Sequence, residues 1–499
     1  MRPWVCFVAG VLLGWSPFSN CEAEDLRTWT DSTGKYSIEA EFHEFKDSKV
    51  HLRRADGTVI AIPASKLSRE DQQFVRDLLR QRNAAAAGEA AATTATSANT
   101  GTDWPQWRGP NRDAISQETG LLDTWTDGGP PLLWQAKGLG DGFSSVSIAA
   151  GQIYTLGRRD GRTQLVCLNV ADGSPVWSVP FGGGDRPNCT PTVDTDANLV
   201  FGLSHGGDLA CVNTSGEPQW QLNFGKDFGG KMMSGWGYSE SPLVDGDYLV
   251  CTPGAPEAIL AALDKKTGQV VWKTPARNLG QRGQEGAAYS SIVISRAAGV
   301  KQYVQLVGRG VIGVEAKTGR PLWSYDQVAN TTANVPTPIV KGDYVFCSSG
   351  YGDGGSALLQ LSGSGGNVKV REVYYKRTTA LQNHHGGMVL LGDYLYFGHG
   401  HNNGFPVCVE MLTGRTVWAP GRGPGSGSAA IVCADGHLYF RYQDHTMALI
   451  EATPEGYHLK GTFKIATRNG ESWPHPVVAD GKLYLRDQDE LSCYDLRKP

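Results

Sequence analysis

A short pattern that ends in tryptophan recurs along this chain at intervals of roughly forty to fifty residues. In each copy an apolar stretch is followed by a turn that contains glycine and then by a second stretch that carries the tryptophan. The copies end at Trp177, Trp220, Trp272, Trp323 and Trp418. A strand-rich repeat of this length is typical of a β-propeller, in which each unit buries its faces only against its neighbours. The repeat therefore predicts a mainly β chain.

The composition agrees with a large β domain and argues against nucleic acid as a partner. The 499 residues suffice for one large domain and one small domain, and the 64 glycines suit many tight turns. The formal net charge is -4, and no local cluster of Lys and Arg compensates for it. Because binding to a phosphate backbone needs a basic surface, we expect no nucleic-acid partner.

Residues 1–23 have the pattern of an export signal. Arg2 supplies a positive start, an apolar run extends from Trp4 to Trp15, and small residues precede a cleavage position after Ala23. The run is too short for a permanent membrane-spanning helix. One alternative is lipid modification of Cys21, which the preceding Asn20 disfavours. The other is an N-terminal anchor that is not cleaved. We expect an exported protein of the periplasm or cell envelope.

Eight cysteines remain after such cleavage, and four of them occupy the same place in the repeat, namely Cys167, Cys211, Cys408 and Cys493. Equivalent positions on successive units of a ring are too far apart for disulfide geometry. The chain has no Cys-x-x-Cys motif, so the sequence predicts neither a zinc knuckle nor a covalently attached haem. We interpret these cysteines as small buried apolar residues.

Residues 25–82 are predicted to form a separate small module. Short strand-like runs cover Tyr36–His43, Lys49–Arg53 and Val59–Pro63. A helix is predicted after Ser68, whose side chain suits the N-cap position. Three short strands and a helix predict a small SH3-like barrel.

This module resembles a known domain family over nearly its whole length. The segment TWTDSTGKYSIEAEF, with LRRADGTVIAIPASKLSREDQQFV, resembles the SHD-type homology domain of an actin-patch endocytic adaptor, which also occurs at the N-termini of exported bacterial proteins. In that family the domain binds short peptide motifs, so the resemblance implies a peptide-binding role. The following residues, 83–103, are rich in alanine and threonine and are predicted to be a flexible linker.

Residues 104–499 are predicted to form the propeller. Inner strands are predicted to start near Ser145, Thr190, Ser241, Ser290, Thr337, Gly387, Ser428 and His475. Outer-strand anchors are Trp134, Trp177, Trp220, Trp272, Trp323, Tyr374, Trp418 and Phe463. The last unit reaches Pro499 without an outer strand, which Pro131–Lys137 can supply. Such closure removes an exposed sheet edge. We therefore predict an eight-bladed propeller, with seven blades as the alternative.

The repeats resemble the pyrroloquinoline-quinone (PQQ) enzyme repeat, in which A-x-D-x-x-T-G-x-x-x-W docks one blade to the next. Leu263–Trp272 and Val314–Trp323 match it closely, and the copies ending at Trp220 and Trp418 match more loosely. From Asp103–Pro110 onward the chain resembles exported bacterial PQQ-like propellers. Their relatives include quinoprotein alcohol and polyvinyl-alcohol dehydrogenases and also the outer-membrane assembly scaffold BamB. The resemblance implies the fold and leaves both catalyst and scaffold open.

One face of the predicted ring gathers the loops that lead into inner strands and the loops between second and third strands. Candidate residues of a binding face are Tyr238, Tyr289, Trp473 and His475. Two loops of one blade bring histidines to the same face, namely His384, His385, His399 and His401. Converging neutral imidazoles predict a zinc or copper site. The alternative is that these residues only satisfy backbone groups in turns.

The resemblance to quinoproteins implies a calcium site beside a quinone. Dehydrogenases of that family hold Ca²⁺ with Glu, Asn and Asp oxygens, stack the quinone on a Trp and use an Asp as general base. By loop position, Glu240, Asn334 and Trp236 are the candidate cofactor-binding residues, and Asp353 is the candidate base. The adjacent-cysteine pair common in that family is absent.

The leading interpretation is an exported scaffold or binding protein that combines a propeller with a peptide-binding module, and no catalytic residue is assigned. The alternative is a PQQ-dependent quinoprotein-type oxidoreductase that acts on alcohols or polyols. We expect protein or peptide partners, a place in outer-membrane or cell-envelope assembly, and a monomeric propeller.

Overall fold

The computed structural model describes residues 26–46, 49–75, 78, 103–467 and 470–499. The predicted export signal lies outside these residues, as does the predicted linker except for Asp103. The chain divides into two compact units, Met1–Ala98 and Asn99–Pro499, which are described separately. No helix within the described ranges is long and apolar enough to cross a membrane.

The first unit is a four-stranded antiparallel sheet followed by a short helix. Its strands lie side by side in chain order and are β1 (Arg27–Thr30), β2 (Ser37–Lys46), β3 (Lys49–Arg53) and β4 (Val59–Pro63). A 3-10 turn at Ala64–Lys66 leads to a helix at residues 69–75. The predicted cap is confirmed, since the Ser68 hydroxyl accepts the backbone N–H of Asp71 at 3.1 Å. The buried side chains of this unit centre on Trp29.

The prediction of three strands missed β1. This strand has four residues, of which Trp29 alone is deeply buried, so it carries no alternating apolar pattern. The Asp71 carboxylate holds it in place, because it accepts hydrogen bonds from the Arg27 guanidinium at 2.5 Å and from the Thr30 backbone N–H at 2.7 Å. The fourth strand therefore combines backbone pairing with β2 and a long-range contact with Asp71.

The second unit contains, in its described residues, eight four-stranded antiparallel sheets, together with an α-helix at Phe224–Phe228 and a 3-10 turn at Ala297–Gly299. The first strand of this second unit, β5 (Leu132–Ala136), belongs to its last sheet. Sheets 1 to 4 are β6–β9 (Ser147–Ala149, Gln152–Arg159, Arg162–Asn169, Pro175–Phe181), β10–β13 (Thr192–Asp194, Leu199–Leu203, Asp208–Asn213, Pro218–Asn223), β14–β17 (Leu243–Asp245, Tyr248–Cys251, Leu260–Asp264, Val270–Thr274) and β18–β21 (Val293–Ser295, Gln302–Val307, Gly310–Glu315, Pro321–Tyr325). Sheets 5 to 8 are β22–β25 (Ile339–Lys341, Tyr344–Ser348, Gly355–Ser364, Asn367–Arg377), β26–β29 (Asn383–Leu391, Tyr394–His399, Phe405–Glu410, Arg415–Trp418), β30–β33 (Ala429–Ala434, His437–Tyr442, Thr446–Glu451, Leu459–Lys464) and β34–β36 with β5 (Val477–Ala479, Lys482–Asp487, Glu490–Asp495).

A common cross-strand register explains the periodic cysteines. In sheet 1, Tyr154 lies opposite Cys167, which lies opposite Trp177. The same row of aromatic, cysteine and tryptophan occurs at Cys211, Cys408 and Cys493. A small side chain fits between two large rings in such a row. All eight cysteines within the described ranges are free and buried, which confirms that they form no disulfide framework.

The tryptophan that ends a repeat contacts the turn of the next sheet at Trp177, Trp220, Trp272 and Trp418. Trp323 instead donates its N–H to the Gln302 side chain of its own sheet. The Trp177 indole lies against Gly216 of sheet 2 and donates its N–H to the Thr214 carbonyl at 3.0 Å. Gly216 has a φ of 88°, and a Cβ there would lie 2.8 Å from the indole. The turn glycine of the motif is thus required both by the backbone and by the contact.

Sheet 8 connects the end of the chain to the beginning of the unit. Its fourth strand is β5, which pairs with β36, so the prediction that the segment around Trp134 completes the last sheet is confirmed. The Trp134 indole lies against Gly173 of sheet 1. The Arg486 guanidinium donates to the Thr155 hydroxyl at 2.6 Å across the same boundary. Successive sheets therefore contact one another in a cycle, with sheet 8 against sheet 1.

A segment that precedes β5, residues 104–122, contacts all eight sheets and is called the crossing segment. Its contacts, in order of sheet, are Trp104 with Ile148, Pro105 with Val193, Arg112 with Ser241 and Ile292, Trp107 with Thr337, Arg108 with Met388, Ile115 with Cys433, and Leu122 with Leu496. Most of these partners belong to first strands or to the residues directly before them. The crossing segment therefore runs through the middle of the ring.

Candidate functional site

A cavity of about 540 Å³ opens on one face of the second unit. Its walls come from residues that lead into first strands, such as Phe143 and Trp473, and from connections between second and third strands, such as Tyr351 and His401. This is the face on which the sequence predicted loops to gather. A cavity of this size suits a small molecule or the end of a polymer.

The floor of the cavity is formed by Trp107 and Arg108 of the crossing segment. The Trp107 indole donates its N–H to the Thr337 hydroxyl at 3.3 Å. The Arg108 guanidinium donates to the backbone carbonyls of Arg112, Asp113 and Met388. Burial lowers the pKa of Arg108 to about 10, so the side chain remains a cation near neutral pH. Sequence analysis did not assign either residue to the site.

Three of the four predicted histidines meet in the cavity wall. His384 and His385 stand at the start of β26, and His401 follows β27. The His384 ring centroid lies 4.4 Å from those of His385 and His401, and Tyr351 lies 4.6 Å from His384. The Nδ1 atom of His384 is paired with the Ser428 hydroxyl. Burial lowers the pKa of His384 to about 2 and that of His385 to about 3, so both imidazoles are neutral.

His399 does not line this cavity. Its Nδ1 atom lies 3.3 Å from the backbone carbonyl oxygen of Gln382, so the ring contacts the backbone of its own sheet and not the cavity. Within the described residues, no group of three or more His, Cys, Asp and Glu side chains is arranged to hold a metal ion. The expected four-histidine metal site is therefore not supported, because His399 contacts the Gln382 backbone while the His384 ring is tilted 45° against His385 and 53° against His401.

The two expected calcium ligands lie behind the wall. The carboxylate of Glu240 accepts the Thr252 backbone N–H at 2.6 Å and the Thr252 hydroxyl at 2.7 Å. Burial raises the pKa of Glu240 to about 8. The Asn334 amide donates to the Gly308 carbonyl at 3.0 Å and accepts from Asn330. Neither side chain lines the cavity, so the expectation that they bind a cofactor there does not agree with their placement.

Three further candidates differ in position. Tyr238 is buried and donates its hydroxyl to the Pro253 carbonyl at 3.0 Å, so it supports the wall. Trp236 stands at the rim with 57% of its surface exposed. Asp353 is held by the Arg282 guanidinium at 3.0 Å and does not line the cavity.

Tyr289, Trp473 and His475 line the cavity, as expected of a binding face. The Tyr289 hydroxyl is 2.6 Å from the Ser234 hydroxyl. The Trp473 ring lies 4.6 Å from Phe143, which sequence analysis missed together with Tyr351. Phe143 and Tyr351 are each a single aromatic residue among glycine and serine next to a strand. That pattern is the sequence feature that could have identified them as cavity residues.

Several lining side chains have unused hydrogen-bonding atoms. Within the described ranges, the buried polar atoms without a partner include His384 Nε2, Gln443 Oε1, Trp473 Nε1, His475 Nδ1 and Arg108 Nη1. Buried polar atoms almost always bind protein, water or a ligand. These five atoms leave unfilled capacity for hydrogen bonding in the cavity wall, although other buried atoms without a partner lie elsewhere in the second unit.

Two family models match parts of this chain. The family described as SLA1 homology domain 1 (SHD1) matches residues 18–83. The family described as outer membrane protein assembly factor BamB matches residues 187–420, which is less than half of the chain. Among curated proteins, the actin cytoskeleton-regulatory complex protein sla1 of Schizosaccharomyces pombe is 42% identical over 57 residues, and that of Candida albicans is 46% identical over 50 residues. These matches cover 11% and 10% of this chain and 4% of each relative.

Solved structures resemble the second unit in fold. BamB from Moraxella catarrhalis is 12% identical with a TM-score of 0.53, covering 74% of this chain and 100% of that chain. A europium-containing methanol dehydrogenase is 12% identical with a TM-score of 0.57, covering 78% of this chain and 89% of that chain. The quinohemoprotein alcohol dehydrogenase of Comamonas testosteroni is 10% identical with a TM-score of 0.56, covering 80% and 81%. At these identities the likeness concerns the fold alone.

The donor set of the cavity does not fit a quinone with its calcium ion. Calcium takes six to eight oxygen ligands, most of them carboxylate and carbonyl oxygens. The one carboxylate among the lining side chains of the described residues is Asp185, which lies beside Arg186 at 4.0 Å. Glu240 and Asn334 are occupied by internal hydrogen bonds. No step of a quinone reaction can be assigned to these residues.

Proposed function

We propose that this protein is an exported, non-catalytic scaffold whose eight sheets are the blades of one closed β-propeller and whose cavity is a ligand-binding site. The observation that carries the proposal is the cavity wall, which combines aromatic rings, neutral imidazoles and unpartnered polar atoms with, among the described residues, a single carboxylate, Asp185, that lies beside Arg186. Such a wall suits recognition, because buried donors and acceptors orient a ligand while the rings supply contact area.

The first unit is proposed to be an SH3-like, peptide-binding module. Its match to the SHD1 family supports this role, and peptides are the class of ligand that the family resemblance implies. Two binding modules on one chain act together when both ligands belong to one assembly, because the second binding event becomes intramolecular. The likeness to BamB supports a place in the cell envelope.

The quinoprotein alternative is tested with the full-length exported protein. Titration with PQQ in the presence of Ca²⁺ is followed by absorbance, and dye reduction is measured with a set of primary alcohols and polyols. We expect no stoichiometric uptake of quinone and no dye reduction. Binding at one quinone per chain with alcohol-dependent turnover contradicts the proposal.

The binding role is tested with a photo-crosslinking amino acid at the rim position Trp236. The matched control is Leu459 on β33, which is 44% exposed on an outer strand. We expect crosslinked products in envelope preparations from the rim position and none from the control. Equal labelling at both positions, or none at either, contradicts a specific site at the cavity.

A further inference from the structure

The geometry points to the end of a neutral glycan as the ligand of this cavity, with terminal sugar rings entering from the open face and stopping at Trp107. This inference rests on the proposed binding function and names the class of ligand that the same site takes.

The first step is that the cavity is closed at its base. Ser291 and Thr337 line it where they lead into first strands, Gly387 lines it from within the first strand β26, and Trp107 and Arg108 lie across the middle. A separate hollow of about 500 Å³ is lined by Arg112 and by residues further along the same strands. The crossing segment lies between the two spaces, so a polymer cannot thread through the ring. Only the end of a chain fits.

The second step concerns the aromatic rings. Trp107 in the floor and Phe143, Tyr289, Tyr351 and Trp473 in the walls surround one volume. The C–H bonds on the face of a sugar ring carry partial positive charge, and the faces of aromatic rings are negative. Indoles and phenols therefore bind sugar rings by stacking while the hydroxyl groups point to the ring's edge. A floor and walls of this kind match flat rings with polar edges.

The third step concerns the polar groups between the rings. A hydroxyl both donates and accepts, and a neutral imidazole offers one donor and one acceptor. His384, His385 and His475 are all held neutral, chiefly by burial. The unpartnered atoms include the donor Nε1 of Trp473 and the acceptor Oε1 of Gln443. A polyhydroxylated ligand satisfies such a mixed set, and a ligand with one kind of group does not.

The fourth step is the distribution of charge. Asp185 and Arg186 face each other at 4.0 Å and neutralise one another. Deeper in the cavity Arg108 donates to three backbone carbonyls, so most of its guanidinium is already engaged. The ammonium end of a peptide carries a full positive charge, and among the described residues the deep wall offers no carboxylate for it, whereas the unpartnered Nη1 of Arg108 can donate to a neutral hydroxyl as well as to a carboxylate. A neutral ligand avoids this mismatch.

The test is calorimetric titration of the full-length protein with defined probes. These are maltotriose, cellotriose and tri-N-acetylchitotriose as neutral glycans, trigalacturonate as an acidic glycan, trialanine as a peptide end, and PQQ with Ca²⁺. We expect one neutral trisaccharide to bind at one per chain and more than tenfold more tightly than trigalacturonate or trialanine. Binding of none of the three neutral glycans overturns the inference, as does tighter binding of the acidic glycan or the peptide.

Variants locate the binding. Trp473→Ala is expected to weaken binding of the neutral glycan at least tenfold, and Trp473→Phe, which keeps a ring, by less than threefold. His385→Ala is expected to weaken it about tenfold, and His458→Ala, on an exposed loop away from the cavity, is expected to leave it unchanged. Equal affinities for Trp473→Ala and the parent protein, with both folded by circular dichroism, overturn the inference.

The two proposals fail in different ways. Uptake of PQQ with turnover contradicts the scaffold function and the glycan together. Absence of glycan binding, with specific crosslinks to protein from Trp236, contradicts the glycan alone and leaves the binding function in place.

Discussion

Glu240 lies three residues before the first strand β14 and Trp473 lies four residues before the first strand β34, and only Trp473 lines the cavity. The difference is decided by local partners. Thr252 supplies two hydrogen bonds that draw the Glu240 carboxylate into the wall. Loop position was readable from the repeat, but the direction of a side chain depends on residues of the neighbouring strand. That is why the sequence indicated which loops lead to this face but not that the side chains of Glu240, Asn334 and Tyr238 are directed into the wall.

The cavity histidines predict a loss of stability in acid. Burial lowers the pKa values of His384, His385 and His475 to about 2, 3 and 3. The unfolded chain takes up protons below pH 6.5 that the folded protein does not, so the free energy of unfolding falls as pH falls through this range. Each such histidine is expected to cost about 1 kcal/mol between pH 7 and pH 5.5. Urea unfolding at the two pH values measures the loss.

Substitution assigns part of that loss to one ring. His384→Gln is expected to reduce the difference between the two pH values by about 1 kcal/mol, because glutamine does not titrate. Gln443→Ala removes another cavity side chain that cannot titrate and serves as the control with an unchanged difference. A variant His384→Gln with the full difference contradicts the assignment.

At the scale of elements, the contact between a tryptophan and the next turn explains how far the sequence could be read. The repeated motif contains both the turn glycine and the tryptophan. The strand pairs and their tryptophan anchors could therefore be predicted from its periodic recurrence in the sequence. The crossing segment has no period, because it is a single stretch whose partners lie up to 378 residues away (498 − 120), as with Gly120 and Lys498. Its role depends on contacts that no local pattern encodes, so the cavity floor was missed.

The turn contact predicts an asymmetric response to alanine. Gly216→Ala places a Cβ 2.8 Å from the Trp177 indole in a residue with positive φ, and a loss of about 2 kcal/mol is expected. Gly246 also has positive φ but has no atom within 4 Å of the added Cβ, so Gly246→Ala is expected to cost about 1 kcal/mol. Chemical denaturation compares the two. Equal losses contradict a role for the indole.

The crossing segment predicts that Arg112 stabilises the ring. Its guanidinium donates to the backbone carbonyls of Ser241, Pro242 and Ile292. Arg112→Leu leaves the Ser241 and Ile292 carbonyls without this donor, while the Pro242 carbonyl keeps the Thr192 hydroxyl. A loss of about 3 kcal/mol in the free energy of unfolding is expected. Arg277→Leu, at an exposed position, is the control and is expected to change stability by less than about 0.5 kcal/mol. A loss no larger than the control contradicts a structural role for the segment.

For the molecule as a whole, the contact that connects the last sheet to the first joins residues that are far apart in sequence. Trp134 of β5 lies opposite Cys493 near the C-terminus and packs on Gly173 of sheet 1. Trp134→Ala removes the anchor of the closing sheet, and a loss of about 3 kcal/mol is expected in thermal or chemical unfolding. Leu133→Ala, on the same strand with 42% exposure, is expected to cost less than about 1 kcal/mol. Similar losses contradict a special role for closure.

The blind base of the cavity has a kinetic consequence. A molecule that has settled against Trp107 leaves by the route through which it arrived, so the opening governs both arrival and departure. Substitutions at the exposed Trp236 are then expected to change the lifetime of the complex and to leave the position of the bound ligand at Trp107 unchanged. The opening therefore determines the rates of binding and release, and the interior determines which ligand is bound.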